Sequence, residues 1–245
     1  MLDLRTLWRA VAPHPQPLPT RRRGATVPLS SPSPLVGEGR GGAAGPKPTR
    51  GLTRRPALSL HQGRHGADRP AGPGVILALR HPVSIVGIIA RKGKAQAASE
   101  ALERHFGLAC PPAGESRSSE RLALHWCGFE QWYAVADGFA DGALYDTLRD
   151  RLAGLASVAD QSHGRIILHL EGPKARDLLA KGTGVDLYPR AFGPGRSAVT
   201  QMAHVGVHIA QVGPDAFELS LFRGFAVSFW EWLTEMSGEY GYEVR

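Results

Sequence analysis

The sequence predicts an α+β fold: a pseudo-twofold repeat of antiparallel strands and helices, preceded by a disordered N-terminal tail. Three observations predict it. From Val75 onward, apolar residues follow an order of strand, helix, two strands and helix, and that order then recurs. A hairpin signature, Gly128-x-Glu130-x-Trp132, returns as Gly213-x-Asp215-x-Phe217. The first 70 residues, by contrast, hold 11 of the 19 prolines and only one aromatic residue, Trp8.

The elements of the first half follow in order. Ser84-Ile85-Val86-Gly87-Ile88-Ile89 is rich in β-branched residues and reads as a strand. Gln96 to Phe106 reads as a helix, with Ala98, Leu102 and Phe106 on one face and Gly107 as its stop. Leu122 to Trp126 and Trp132 to Ala136 read as two strands joined at Gly128-Phe129-Glu130. Asp141 then precedes a helix with Leu144, Leu148 and Leu152 on one face.

The second half repeats the order. Arg165 to Leu170 is a strand, and Gly172-Pro173 opens a helix that buries Leu178 and Leu179. In Ala203 to Ala210, Val205, Val207 and Ile209 face one way and His204, Gly206 and His208 the other. Phe217 to Phe222 is its partner strand. Phe225, Phe229, Trp232, Leu233 and Met236 form the apolar stripe of a final helix. Antiparallel strands with helices on one face are the simplest layering for this pattern.

Charge divides at the same place as proline. Residues 1–70 carry a net charge of +9 and the remainder −2, which together give the chain's +7. The pI of about 9.8 therefore belongs to the tail. Residues 1–72 bury too little apolar area to offset their ordering entropy, so the expectation is a disordered segment, with the folded domain at 73–245. The abrupt change near Pro73 suggests an over-long translation start. A later start would need a non-Met codon such as one at Val75, because the next methionine is Met202. Nucleic-acid binding is not expected, because no aromatic platforms are interleaved with the basic residues. A membrane span is not expected either, since no segment reaches roughly 18 apolar residues. Nor does a secretion signal stand out, so a cytoplasmic location is expected for the two cysteines, Cys110 and Cys127.

Few motifs carry chemistry. Gly37-Glu38-Gly39-Arg40-Gly41-Gly42 fits G-x-G-x-x-G, but prolines flank it where a strand and a helix N-terminus are required. His125-x-Cys127 has no matching ligand pair at zinc spacing. Neither a phosphate loop nor a hydrolase elbow is present. Asp160 and Ser162 could share a face and contact one ligand; equally, they could close a turn on backbone N–H groups. Arg223, at the passage from the last strand to the last helix, suits either a bidentate grip on a carboxylate of a ligand or partner chain or an ordinary helix-flanking charge. The aromatic excess around Trp230 suits a subunit contact.

Taken together, several segments resemble the gamma subunit of heterotetrameric sarcosine oxidase, a small relative of the folate-binding aminomethyltransferases. They are Asp160-Gln161-Ser162-His163-Gly164-Arg165, Glu171-Gly172-Pro173-Lys174-Ala175-Arg176-Asp177-Leu178-Leu179, Asp186-Leu187, Phe192-Gly193-Pro194-Gly195 and Phe222-Arg223-Gly224-Phe225-Ala226. The resemblance runs from about Val83 to Tyr242. At Arg223-Gly224-Phe225 the chain departs from the family's more usual Arg-Ser-Phe, and its first 72 residues have no expected counterpart. The resemblance implies a non-catalytic assembly subunit with alpha, beta and delta partners. In the complex it implies, sarcosine is oxidatively demethylated to glycine, with formation of hydrogen peroxide and methylenetetrahydrofolate. FAD, FMN, NAD, zinc and tetrahydrofolate are implied for the partner subunits, and no cofactor or metal for this chain. The alternative is a stand-alone folate-binding protein, with Asp160 as the carboxylate nearest the pterin.

Overall fold

The computed structural model of the protein describes residues 55–68 and 70–245. The tail up to residue 54 and the glycine-rich match at 37–42 lie outside the described residues. In chain order the strands and helices are β1 (Gly63–His65), β2 (Val75–Arg80), β3 (Ser84–Ala90), α1 (Ala95–Phe106), β4 (Ser116–Ser118), β5 (Ala123–Gly128), β6 (Gln131–Ala136), α2 (Ala143–Arg151), β7 (Ala156–Asp160), β8 (Arg165–Glu171), α3 (Ala175–Ala180), β9 (Ser197–Met202), β10 (Val205–Gly213), β11 (Ala216–Phe222), α4 (Ala226–Ser237) and β12 (Tyr242–Val244).

The strands form two sheets. One has five strands in the order β4-β5-β6-β3-β7, and the other has seven in the order β1-β12-β2-β8-β11-β10-β9. Period-two alternation gives every central strand two different faces. On the five-stranded sheet, Val86, Ile88, Leu124, Trp132 and Ala134 pack with Leu102 of α1 and Leu144 and Leu148 of α2. On the seven-stranded sheet, Leu77, Leu168, Phe217, Leu219 and Ile209 pack with Leu178 and Leu179 of α3 and Phe229 and Leu233 of α4. The remaining faces meet each other through Ile85, Val135 and Ile167.

The repeat is therefore real, and it is carried by two sheets, each with its own helix pair on its outer face. β1 and β2 from the start of the chain complete the second sheet, and the two sheets stack. The reason is that Ile85, Val135 and Ile167 are apolar on the faces turned away from the helices, and a solvated face would expose them. The two hairpins also match in detail. The β5–β6 register shifts between Trp126 and Gly128, and the β10–β11 register between Gln211 and Gly213. The shared Gly-x-acid-x-aromatic signature thus marks the same local irregularity twice.

The domain boundary at 73 is overturned. Leu58 is buried in the seven-stranded sheet's core, with Ala57 and Leu60 packed against it. β1 pairs antiparallel with β12, and the Ala67 N–H donates to the Gly238 carbonyl at 2.8 Å. A translation start at Val75 would remove these contacts. A three-residue strand of Gly, Arg and His has no hydrophobic period, so composition averaged with the proline-rich tail conceals it.

One glycine fixes a close approach. Gly172 has φ of 127°, and a Cβ there would lie 2.6 Å from the Gly74 carbonyl oxygen. It lets the end of β8 pass directly against the start of β2. The final helix begins later than its apolar stripe suggested. Phe225 lies in a 3-10 turn, Arg223–Phe225, and is half exposed.

Candidate functional site

The polar residues of the molecule collect where the two sheets stack. β2, β8, β10 and β11 turn Arg80, Arg165, His208, Glu218 and Ser220 toward the seam, while β5 and β6 supply His125 and Tyr133 from the other side. Alternation explains the placement: each is one residue out of phase with a core position such as Leu79, Ile166, Val207, Leu219 or Leu124.

Arg80 forms the strongest electrostatic cluster. Its Nη1 donates to both Glu218 oxygens at 2.9 and 3.1 Å, and its Nη2 to Asp137 Oδ2 at 2.6 Å. Burial alone would lower the guanidinium pKa, but these two carboxylates outweigh it and raise it. The link joins β2 and β11 of one sheet to the end of β6 in the other. It is a bidentate tie between sheets.

The two seam histidines are neutral. His125 shares a 2.8 Å hydrogen bond with the Ser116 hydroxyl, and His208 Nε2 donates to the Trp126 carbonyl at 3.1 Å. Burial pushes His125 down to about 3, helped by His208 and Arg80. Burial pushes His208 down to about 4; the Trp126 bond opposes the shift and Arg165 adds to it. Their rings lie 5.5 Å apart. Neither titrates near neutral pH, so neither serves as an acid–base group there.

Arg165 is the other buried cation, 6 % exposed. Its Nε and Nη2 donate to the hydroxyl and carbonyl of Ser220, both at 3.0 Å. Its guanidinium lies over the rings of Tyr133 at 4.8 Å and Phe222 at 4.6 Å. Sequence reasoning took Arg165 only as the first residue of a strand. The signal available was a charged residue at the inward position of an otherwise apolar strand.

Of the predicted site residues, Asp160 and Ser162 meet, Ser162 and Arg223 line one small opening, and Trp230 is not among its lining residues. Asp160 Oδ1 accepts from the Ser162 N–H at 2.9 Å and from the Ser162 hydroxyl at 2.6 Å. Ser162 Oγ in turn accepts from the Ile85 N–H at 3.0 Å. The pair closes a turn and pins it to β3, which is the turn alternative. Arg223 grips no carboxylate within the described residues. Its Nη1 donates to the Arg55 carbonyl at 3.0 Å and its Nη2 to that of Pro56 at 3.4 Å. Trp230 is half-buried against the core of the seven-stranded sheet, so packing accounts for much of its surface.

The seam opens at one edge into a cavity of about 280 Å³ lined by Arg80, Arg117, Ser119, Arg121, Asp137 and Glu218, among others. That is just under the roughly 300 Å³ at which small-molecule sites begin. Among the described residues no cluster of three or more His, Cys, Asp or Glu could hold a metal ion. Both thiols are held protonated, since burial pushes Cys110 up to about 11 and Cys127 up to about 12. No helix among the described residues is long and apolar enough to cross a membrane.

Comparison with known proteins identifies this arrangement. The profile of the "Sarcosine oxidase, gamma subunit family" matches residues 91–239. The sarcosine oxidase subunit gamma of Corynebacterium sp. (strain U-96) is 27 % identical over 77 % of this chain and 92 % of its own length. The same subunit from Arthrobacter sp. is 30 % identical over the same shares. A match over 77 % of this chain is longer than residues 73–245, so it begins inside the segment expected to have no counterpart. Among solved structures, the heterotetrameric sarcosine oxidase of Corynebacterium sp. U-96 matches with a TM-score of 0.63 at 29 % identity, over 69 % of this chain and 87 % of that one. Aminomethyltransferase T of the Bartonella henselae glycine cleavage system matches with a TM-score of 0.53 over 70 % of this chain and 48 % of that one; at 20 % identity this shows a shared fold alone. With the profile spanning more than half its length and relatives matched almost end to end, the chain belongs to the sarcosine oxidase gamma subunit family.

Proposed function

We propose that this chain is the gamma subunit of a heterotetrameric sarcosine oxidase, and that it acts by assembly. In that role it packs with alpha, beta and delta subunits of a complex that converts sarcosine to glycine, with formation of hydrogen peroxide and methylenetetrahydrofolate. FAD, FMN, NAD, zinc and tetrahydrofolate belong to the partner chains. The observation that carries the reading is how the seam uses its polar groups. Arg80 is paired with Glu218 and Asp137, His208 is neutral and bonded across the seam to Trp126, His125 is neutral and bonded to Ser116 within its own sheet, and Asp160 is tied to Ser162. Groups that could perform chemistry instead tie strands, sheets and a turn together.

Affinity purification of the tagged full chain from its native host tests the proposal. The expected eluate contains three further chains and a visible flavin spectrum. A lone, colourless chain that binds tetrahydrofolate would overturn it in favour of a folate-binding protein.

A further inference from the structure

Arg165 is a buried cation with no carboxylate partner among the described residues. Arg80, one strand away, has two carboxylates. Arg165 has two bonds to Ser220 and two aromatic faces, and its Nη1 has no acceptor among the described residues. The acidic groups that act on it are Tyr133 and Cys127, and burial keeps both protonated at neutral pH. A buried charge without a counter-ion is costly, more so than a bonded and paired one.

The space beside it is rich in cations. An opening of about 20 Å³ is lined by Arg55, Arg80, Arg165 and Arg223, with Ser162, His163 and several apolar side chains completing it. A water needs roughly 10–15 Å³ of such space, so the opening admits one or two heavy atoms. That admits the oxygens of a carboxylate whose carbon and stem stay at the mouth, and it excludes a ring system. The nearby carboxylates of this chain are taken: Asp137 and Glu218 by Arg80, Asp141 by His163, and Asp160 by Ser162. Arg223 adds a second guanidinium with no carboxylate partner among the described residues.

The chain on either side of Arg223 is apolar and exposed: Phe222, whose ring lies under Arg165, is 53 % exposed, Phe225 50 % and Val227 59 %. A free small anion would fill the opening and leave this surface in water. An acidic side chain carried on an apolar segment would answer both features.

We propose that Arg165, with Arg223 beside it, receives a carboxylate from another subunit of the complex, an Asp or Glu flanked by apolar residues that cover Phe222, Phe225 and Val227. This rests on the assembly role proposed above. The site turns the incomplete electrostatics of the isolated chain into a requirement for a partner.

The test has two arms. In the first, the full chain is co-expressed with the other three subunits, and wild type is compared with Arg165→Met, Arg165→Lys and Phe225→Ser. Arg165→Met is expected to weaken association by about 10- to 100-fold, Phe225→Ser by about tenfold, and Arg165→Lys less than either, as desolvated interfacial charges and aromatic anchors do. In the second, the thermal midpoint of the isolated full chain is followed against sodium acetate, with sodium chloride at matched ionic strength. Acetate is expected to raise the midpoint of wild type and not that of Arg165→Met. In chloride, Arg165→Met should melt no lower than wild type.

Acetate stabilisation with unchanged assembly of Arg165→Met would overturn the subunit contact and leave a site for a free anion. No acetate effect with normal assembly of both variants would leave Arg165 as a structural cation. Were Arg165→Met to misfold, normal assembly of Phe225→Ser, whose side chain is half exposed, would overturn the proposal. A wild-type chain that associates with no other subunit would overturn the assembly role itself, and the acetate arm would then decide the anion site alone.

Discussion

The outer cores and the inner seam of this molecule are built on opposite principles. Outside, each sheet packs aliphatic and aromatic side chains against its helices, and residues such as Leu168, Phe217, Leu102 and Leu148 are fully buried. Inside, the apolar contact between sheets reduces to a small cluster around Ile85, Val135 and Ile167, and arginines, histidines and a glutamate fill the rest. Hydrophobic burial is non-directional and tolerates sliding. Hydrogen-bonded charges tolerate little, because a misplaced partner leaves a desolvated group unpaired. The difference teaches that the outer cores supply most of the stability, while the seam sets how the two halves face each other.

The comparison can be broken or sharpened by substitution. The largest effect is expected in an outer core. Phe217→Ala should cost about 4 kcal/mol, read by urea denaturation, from lost transfer energy and the cavity left behind. Next comes the seam. Arg80→Met should cost about 3 kcal/mol, because Glu218 remains buried with no cation. A double variant, Arg80→Met with Glu218→Gln, should recover part of that loss. Recovery would show that the cost lies in the stranded charge and not in the shape of the seam.

A third substitution tests packing between α3 and α4. A Cβ on Gly182 would lie 2.7 Å from Met202 Cγ and inside the ring envelope of Trp232. Gly182→Ala should therefore cost about 2 kcal/mol by overpacking, visible as a lower urea midpoint with an unchanged slope. A fourth test is in pH, and its size grows with how far the pH falls. His125 and His208 titrate near 3 and 4 in the folded chain and near 6.5 when unfolded. The unfolded chain binds more protons between those limits, so stability is fully present above about pH 6.5. It declines as pH falls and the contribution is gone below about 4 and 3. The slope is at most about 1.4 kcal/mol per pH unit for each histidine. The double variant His125→Gln, His208→Gln should flatten the curve of unfolding free energy between pH 4 and 6.5. An unchanged curve would mean that the seam admits water.

Long periodic elements were legible in the sequence. The helix read over Gln96 to Phe106 is α1 at Ala95–Phe106, and the strand read over Arg165 to Leu170 is β8. A helical period with a glycine stop marked the first, and a short apolar run marked the second. The repeated hairpin signature gave the twofold relation, since glycine and an acidic residue at fixed offsets specify a turn without any tertiary information. Shorter pieces were not legible. β1, β4 and β12 have three residues each and exist because a neighbour offers a free edge. Nothing local encodes that.

The site was legible in its parts and not in its geometry. Asp160 and Ser162 were read as a turn or a ligand contact, and only the Ile85 N–H, 77 residues away, gives the Ser162 hydroxyl its acceptor role in the turn. Arg223 was read as a grip for a carboxylate or a helix-flanking charge, and it holds two backbone carbonyls of the segment at 55–56. That segment had been assigned to the tail, so the contact could not be foreseen. Arg165 escaped notice because its meaning depends on which side chains stand opposite in the other sheet.

The strand order β1-β12-β2 has a consequence in time. β12 inserts between β1 and β2, pairing with both, and the Arg245 N–H donates to the Leu77 carbonyl at 3.0 Å. During synthesis, β2 emerges early, and its edge away from β8 has no strand to pair with until residues 242–244 have left the ribosome, after every other element has been made. β1 has no strand partner at all before then.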